Sequence, residues 1–102
     1  MTTPVMYRRS LKRDGGDVFA LFPTLPADNY GEHCTFYAHI GQHGAADFTH
    51  AVHTSKPVAT EDPDVRALHG ELVSRGYDDL KVIRRAPYRL HEARRAVARV
   101  CP

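Results

Sequence analysis

Five of the seven histidines, His33, His39, His43, His50 and His53, fall within one short stretch, and Cys34 stands beside the first of them. Zinc takes four His, Cys or carboxylate ligands in a tetrahedron at about 2.0–2.3 Å. The pairs His39-x3-His43 and His50-x2-His53 have spacings met in such ligand sets. A Cys-x2-Cys pair, on which finger-like sites draw, is missing. General acid/base chemistry is the other candidate. His43 with Asp47 would supply an imidazole and an orienting carboxylate, and the loop before Cys34 would bring Asp28 and His33 near. No serine or cysteine nucleophile on a tight turn accompanies them. "GQHGAAD" is neither a phosphate-cradling loop nor a dinucleotide fingerprint. Asp28, His33, His39, His43 and Asp47 are therefore read first as a polar, hydrogen-bonded turn, and only second as an acid/base or metal site. No catalytic residue, metal or cofactor is assigned, and the balance leans away from an enzyme.

Charge offers a second lead. Residues 80–102 carry Lys81, Arg84, Arg85, Arg89, Arg94, Arg95 and Arg99 against Glu92 alone. The first 79 residues carry seven basic and eleven acidic side chains, so a net charge of +2 hides two halves of opposite sign. Either the arginines meet an acidic partner, or the halves pair internally. Arg84, Arg85, Arg89, Arg94, Arg95 and Arg99 are the candidate binding residues. Arginine forks match phosphate geometry, which makes nucleic acid the first partner to consider and an acidic protein surface the second. A homodimer or a protein–protein adaptor, built on an open sheet edge, competes with both.

The elements that must position these groups follow from pattern. "PVMYRR" (4–9) and "DVFALF" (17–22) read as strands joined by an Asp-Gly-Gly turn. Pro23 and Pro26 are expected to stop the second strand, because proline cannot donate to a ladder. "CTFYAHI" (34–40) is a third strand; residues 45–60 have no clear period, and "FTHAVHT" within them could be a short strand. Val65, Leu68, Leu72 and Val73 have helical spacing after an Asp62 cap and Pro63, with Gly76 as the stop. "LKVIRR" (80–85) returns as a strand. "YRLHEARRAVARV" (88–100) is a second helix, with Leu90, Ala93, Val97 and Val100 as its buried stripe and Arg95 and Arg99 in solvent.

These elements predict an α+β fold over a single domain, 1–102. It is a small two-layer sandwich, an antiparallel sheet of about four strands with one central and one C-terminal helix, in the order β-β-β-α-β-α. Helices are expected on one sheet face. Phe19, Leu21, Phe36, Ile40, Val65, Leu68, Leu72, Val82 and Ile83 are the expected core. The start, "MTTPVMYRRS", lacks an apolar signal region, and no run spans a bilayer, so a cytoplasmic protein without membrane contact is expected. Cys34 and Cys101 are expected to be reduced thiols.

"ALFPTLPAD" followed by "YGEHCTFYAHIGQHGAAD" resembles a group of small bacterial and mobile-element proteins with ALFP…PAD…HIGQHG-type segments. The resemblance covers about residues 5–85 and leaves the arginine-rich helix outside it. It implies a shared fold and brings no activity with it. The reading that remains is a small non-catalytic binding or accessory protein.

Overall fold

The structure is a computed structural model describing residues 2–38 and 42–100. The chain opens with β1 (Thr3–Ser10), rich in Val, Tyr and Met, and turns through a single 3-10 turn at Lys12–Asp14. Gly15 and Gly16 then take φ of 110° and 71°, which L side chains avoid, and deliver the chain into β2 (Val18–Pro26) antiparallel to β1. Next come β3 (Cys34–Tyr37), β4 (His43–Ala46), α1 (Phe48–His53) and β5 (Ser55–Pro57). The chain closes with α2 (Pro63–Ser74), β6 (Leu80–Val82) and α3 (Tyr88–Val100).

The sheet order is β4-β3-β2-β1-β5, with β6 added to β1. All pairs are antiparallel except β1 with β6, which is parallel. The α+β class holds, with six strands among the described residues, in a mixed sheet, where an antiparallel sheet of about four in the order β-β-β-α-β-α is expected. Alternation along the strands sends side chains to two cores. Val5, Tyr7, Val18, Ala20, Phe22 and Tyr37 meet Val65, Leu68 and Leu72 of α2 on one face. Met6, Leu21 and Cys34 face the other way, against Phe48, Ala51 and Val52 of α1. Helices therefore lie on both faces rather than one.

Three local expectations change, each for a physical reason. Strand β2 runs on through Pro23 to Pro26, because the β2–β3 ladder shifts register between Phe22 and Pro26 and asks no N–H of either proline. "FTHAVH" is a helix: Asp47 accepts a hydrogen bond from His50 N–H at its start, and Phe48, Ala51 and Val52 share the i, i+3, i+4 face. Val82 is 39 % exposed, because β6 is three residues long and pairs on one side only. Leu21, Val65, Leu68 and Leu72 are buried as expected, while Phe19, Phe36 and Ile83 are half-buried. Ile40 lies outside the described residues.

Asp62 starts α2 as its sequence predicts, accepting from Asp64 N–H, with Pro63 in the first turn. The same carboxylate also pairs with Arg9 at 3.2 Å, so one side chain ties the helix start to β1. Asp62→Ala should cost about 1–2 kcal/mol in chemical denaturation, the upper part of the range for removing a cap. An effect under a few tenths would show the cap to be water-replaced.

Candidate functional site

The arginines of the C-terminal segment divide by environment. Arg84, Arg85, Arg89 and Arg99 are exposed, as is Lys81; Arg95 is half-buried and Arg94 is 3 % exposed. Among the described residues, no basic side chain from Lys81 to Arg99 forms an ion pair with a carboxylate. The acidic half uses its charges elsewhere: Asp62 and Asp64 hold Arg9, Asp28 holds His33, and Glu71 lies 3.8 Å from Arg75. Internal pairing between the two halves is therefore not how the basic charge is balanced.

Arg94 is the exception to a binding role. Helix α3 docks on a face turned by about 100° from the one its apolar spacing suggests, so that Leu90, at the edge of both, is half-buried. Arg94 and Ala98 are buried, whereas Val97 and Val100 are exposed at 44 % and 78 % and Ala93 is in solvent. The reason lies in what the sheet end offers. Pro23 lies where the β2–β3 register breaks, and Gly31 lies in the turn before β3. The guanidinium of Arg94 donates to both, Nη1 to Pro23 O at 2.8 Å and Nε to Gly31 O at 2.7 Å. It also donates to His91 Nδ1 at 2.8 Å. Two buried acceptors that need donors outweigh a stripe of alanines and valines. Gly31 makes the approach possible. Its φ is 73°, and a Cβ there would sit 2.8 Å from the Arg95 backbone and 3.2 Å from Ala98 Cβ. Arg95 lies over the Tyr88 ring at 5.9 Å and donates to its hydroxyl at 3.3 Å, so it too is partly spent on α3.

Because a guanidinium only donates, His91 must be unprotonated at Nδ1. Burial, then Arg94 and Arg95, hold its pKa below the ordinary histidine value. Phe48 packs edge-on against its ring, and Glu32, Asp47 and Tyr88 line the same cleft of about 220 Å³. A depressed histidine stabilises the fold above its unfolded pKa, near 6.5, and that stability disappears as pH falls through the folded value. The unfolding midpoint should drop as pH goes from about 7.5 to 5, and His91→Gln, which keeps an acceptor but cannot titrate, should flatten that drop. An unchanged pH slope in the variant would contradict the assignment.

The second candidate set separates into two places. Asp28 closes the 28–33 turn, accepting from Glu32 N–H at 3.0 Å and His33 N–H at 3.2 Å, and its Oδ2 lies 2.6 Å from His33 Nδ1. That imidazole, with the turn amides, holds the Asp28 carboxyl below its usual pKa. Asp47 caps α1 at the same end of the β3–β4 hairpin. His43 stands at the other end, opposite Tyr37, so the expected His43–Asp47 pair does not form. His39 lies outside the described residues. Among the described residues, no three His, Cys, Asp or Glu side chains gather as a ligand set for a metal. Burial pushes the Cys34 thiol up to about 11, with Arg94 opposing, which leaves it a poor nucleophile near neutral pH.

Around His43 the fold assembles a group that no local spacing announces. Its ring packs edge-on to Tyr37 at 4.7 Å, and Nε2 is 3.1 Å from the Tyr77 hydroxyl. Tyr37 Oη donates to Glu71 Oε1, and Arg75 lies over the Tyr37 ring at 5.7 Å. These interactions fasten the hairpin to the end of α2. Glu71 and Arg75, four apart at the end of α2, are the only members that local spacing relates. Among the described residues no helix is long and apolar enough to cross a membrane. No family model, curated protein or solved structure matches the chain.

Proposed function

We propose that this protein is a small non-catalytic binding module that engages an acidic partner, nucleic acid first, through Lys81, Arg84, Arg85, Arg89 and Arg99. The observation that supports this is the absence of a carboxylate beside any of these five among the described residues. Exposed, unpaired guanidiniums are available to phosphate oxygens, and each phosphate neutralised releases condensed counterions. Arg94 serves the module by holding α3 in place, and Arg95 is engaged with Tyr88 within α3. The test is a titration of the full chain with mixed-sequence oligonucleotides between about 50 and 200 mM salt. Affinity should fall steeply over that range, and absence of binding at low salt ends the proposal.

A protein partner is the second reading, favoured by the outward face of α3. Tyr88, Val97 and Val100 are exposed at 66 %, 44 % and 78 %, with Arg89 and Arg99 beside them, and Tyr and Arg are the residues interfaces favour. Light scattering in line with size exclusion separates the two. A monomer that binds oligonucleotide supports the first reading, and a salt-resistant dimer supports the second.

A further inference from the structure

The outer edge of β1 is shared by two strands that do not meet. β6 runs parallel to Thr3–Val5, and β5 runs antiparallel to Arg8–Ser10. Between the two registers lie Met6 and Tyr7, a break of about 10 Å from Val5 to Arg8, three steps at roughly 3.3 Å each. Successive residues of a strand direct their backbone groups to opposite edges. Thr3 N–H donates to Asp79 O and Val5 O accepts from Ile83 N–H, so the odd-numbered residues serve this edge. Tyr7 is the next in that series. Neither register includes it. It lies where β6 has ended and β5 has not begun.

Two cavities open at this break and share Tyr7, Thr60 and Val82 as walls. One, of about 230 Å³, has Arg84 and Arg85 at its rim and Met6, Pro57 and Ile83 as apolar lining. The other, of about 310 Å³, has Arg66 and His69, with His69 Nδ1 held 2.7 Å from the Tyr7 hydroxyl. No carboxylate lines either one. The cleft along α2 is the opposite, walled by Asp17, Asp64 and Glu71. The break is thus an apolar slot with cations at its mouth and donors in its wall.

We infer that this break in the edge of β1 is a nucleotide site, taking one unpaired base between Thr60 and Val82 with its phosphates on Arg84 and Arg85. The inference rests on the proposed nucleic-acid reading and makes it specific to single strands. A peptide adding to the sheet would need a run of open backbone, and here β5 and β6 leave only the Tyr7 position. A duplex keeps its bases stacked and paired, out of reach of a slot this short. A single-stranded chain can turn one base out and leave its phosphates at the rim.

The experiment measures anisotropy of a labelled single-stranded oligonucleotide and of the same sequence annealed as a duplex, each with the full chain at one low salt concentration. Adenosine monophosphate is added as competitor in a third arm. The single strand should bind several-fold tighter than the duplex, because only an unpaired base can enter the slot. Val82→Trp, which fills the slot from an exposed position, should remove that preference while leaving the unfolding midpoint in place. Thr60→Trp, from the facing wall, is the second variant should the first fail to fold. Competition by the mononucleotide assigns the slot to a free nucleotide, and single-strand binding without competition assigns it to the polymer. Equal single-strand and duplex affinities overturn the slot and leave the basic surface standing. No binding to either probe overturns both.

Discussion

Replacing Arg94 with alanine should cost about 2–4 kcal/mol and release α3 from the sheet, although the change removes a charged residue from a helix of arginines. Besides His91 Nδ1, the guanidinium donates to the carbonyls of Pro23 and Gly31, at 2.8 and 2.7 Å. Hydrogen bonds from a charged donor contribute about 1.5–3 kcal/mol each, and carbonyls left without a donor add their own desolvation cost. Against this stands the cost of holding a guanidinium at 3 % exposure with no carboxylate in contact, which lowers its pKa through burial. The net figure is smaller than the sum for that reason. In a domain of this size it corresponds to a fall in the melting midpoint of roughly 10–25 °C. Arg94→Lys should not restore it, since one ammonium cannot reproduce a planar fork reaching two carbonyls and His91. Gly31→Ala attacks the same junction from the other side and should act in the same direction, because its Cβ would sit 2.8 Å from the Arg95 backbone. A variant at Arg94 that melts with the parent would show that α3 is held elsewhere.

Leu72→Ala should cost about 2–5 kcal/mol, the range for emptying a fully buried leucine site. Leu72 is 0 % exposed in the core between α2 and the sheet, among Val5, Phe22 and Tyr37. The surroundings have little freedom to collapse into the space. Tyr77 is stacked on Phe22 at 5.1 Å and tied through its hydroxyl to His43, and Tyr37 is tied to Glu71. Val73, the next residue, is 48 % exposed, so Val73→Ala should stay within about 0.5 kcal/mol. Equal costs at the two positions, measured by denaturant midpoints, would contradict the assigned register of α2.

The two helices show what the sequence could and could not reveal. In α2, cap, proline, apolar spacing and glycine stop all agree, so local pattern and tertiary packing have one solution. In α3 the bounds follow the pattern and the orientation does not. Its apolar residues are small, and the face that docks is chosen by carbonyls at Pro23 and Gly31, over 60 residues away along the chain. No periodicity within residues 88–100 carries that information. The β2 bulge has the same character: two prolines that read as a strand end become part of the strand once β3 shifts register beside them. The His43 group depends on Tyr37, Glu71 and Tyr77 arriving from separate elements, so spacing along the chain shows a histidine-rich turn and nothing of its partners. Charge asymmetry is legible because it needs no geometry. Its division into anchoring and free arginines is not, because burial decides it.

On that division the proposed function stands, and a single titration tests it. The variant with Arg84, Arg85, Arg89 and Arg99 all changed to alanine is titrated with a single-stranded oligonucleotide across a salt series, beside the parent chain and with both unfolding midpoints measured. The midpoint should be unchanged, and the slope of binding against log salt should flatten by about 0.7 for each phosphate the variant no longer neutralises. A variant that folds normally and keeps the parent's affinity and slope would overturn the assignment of these arginines to a partner.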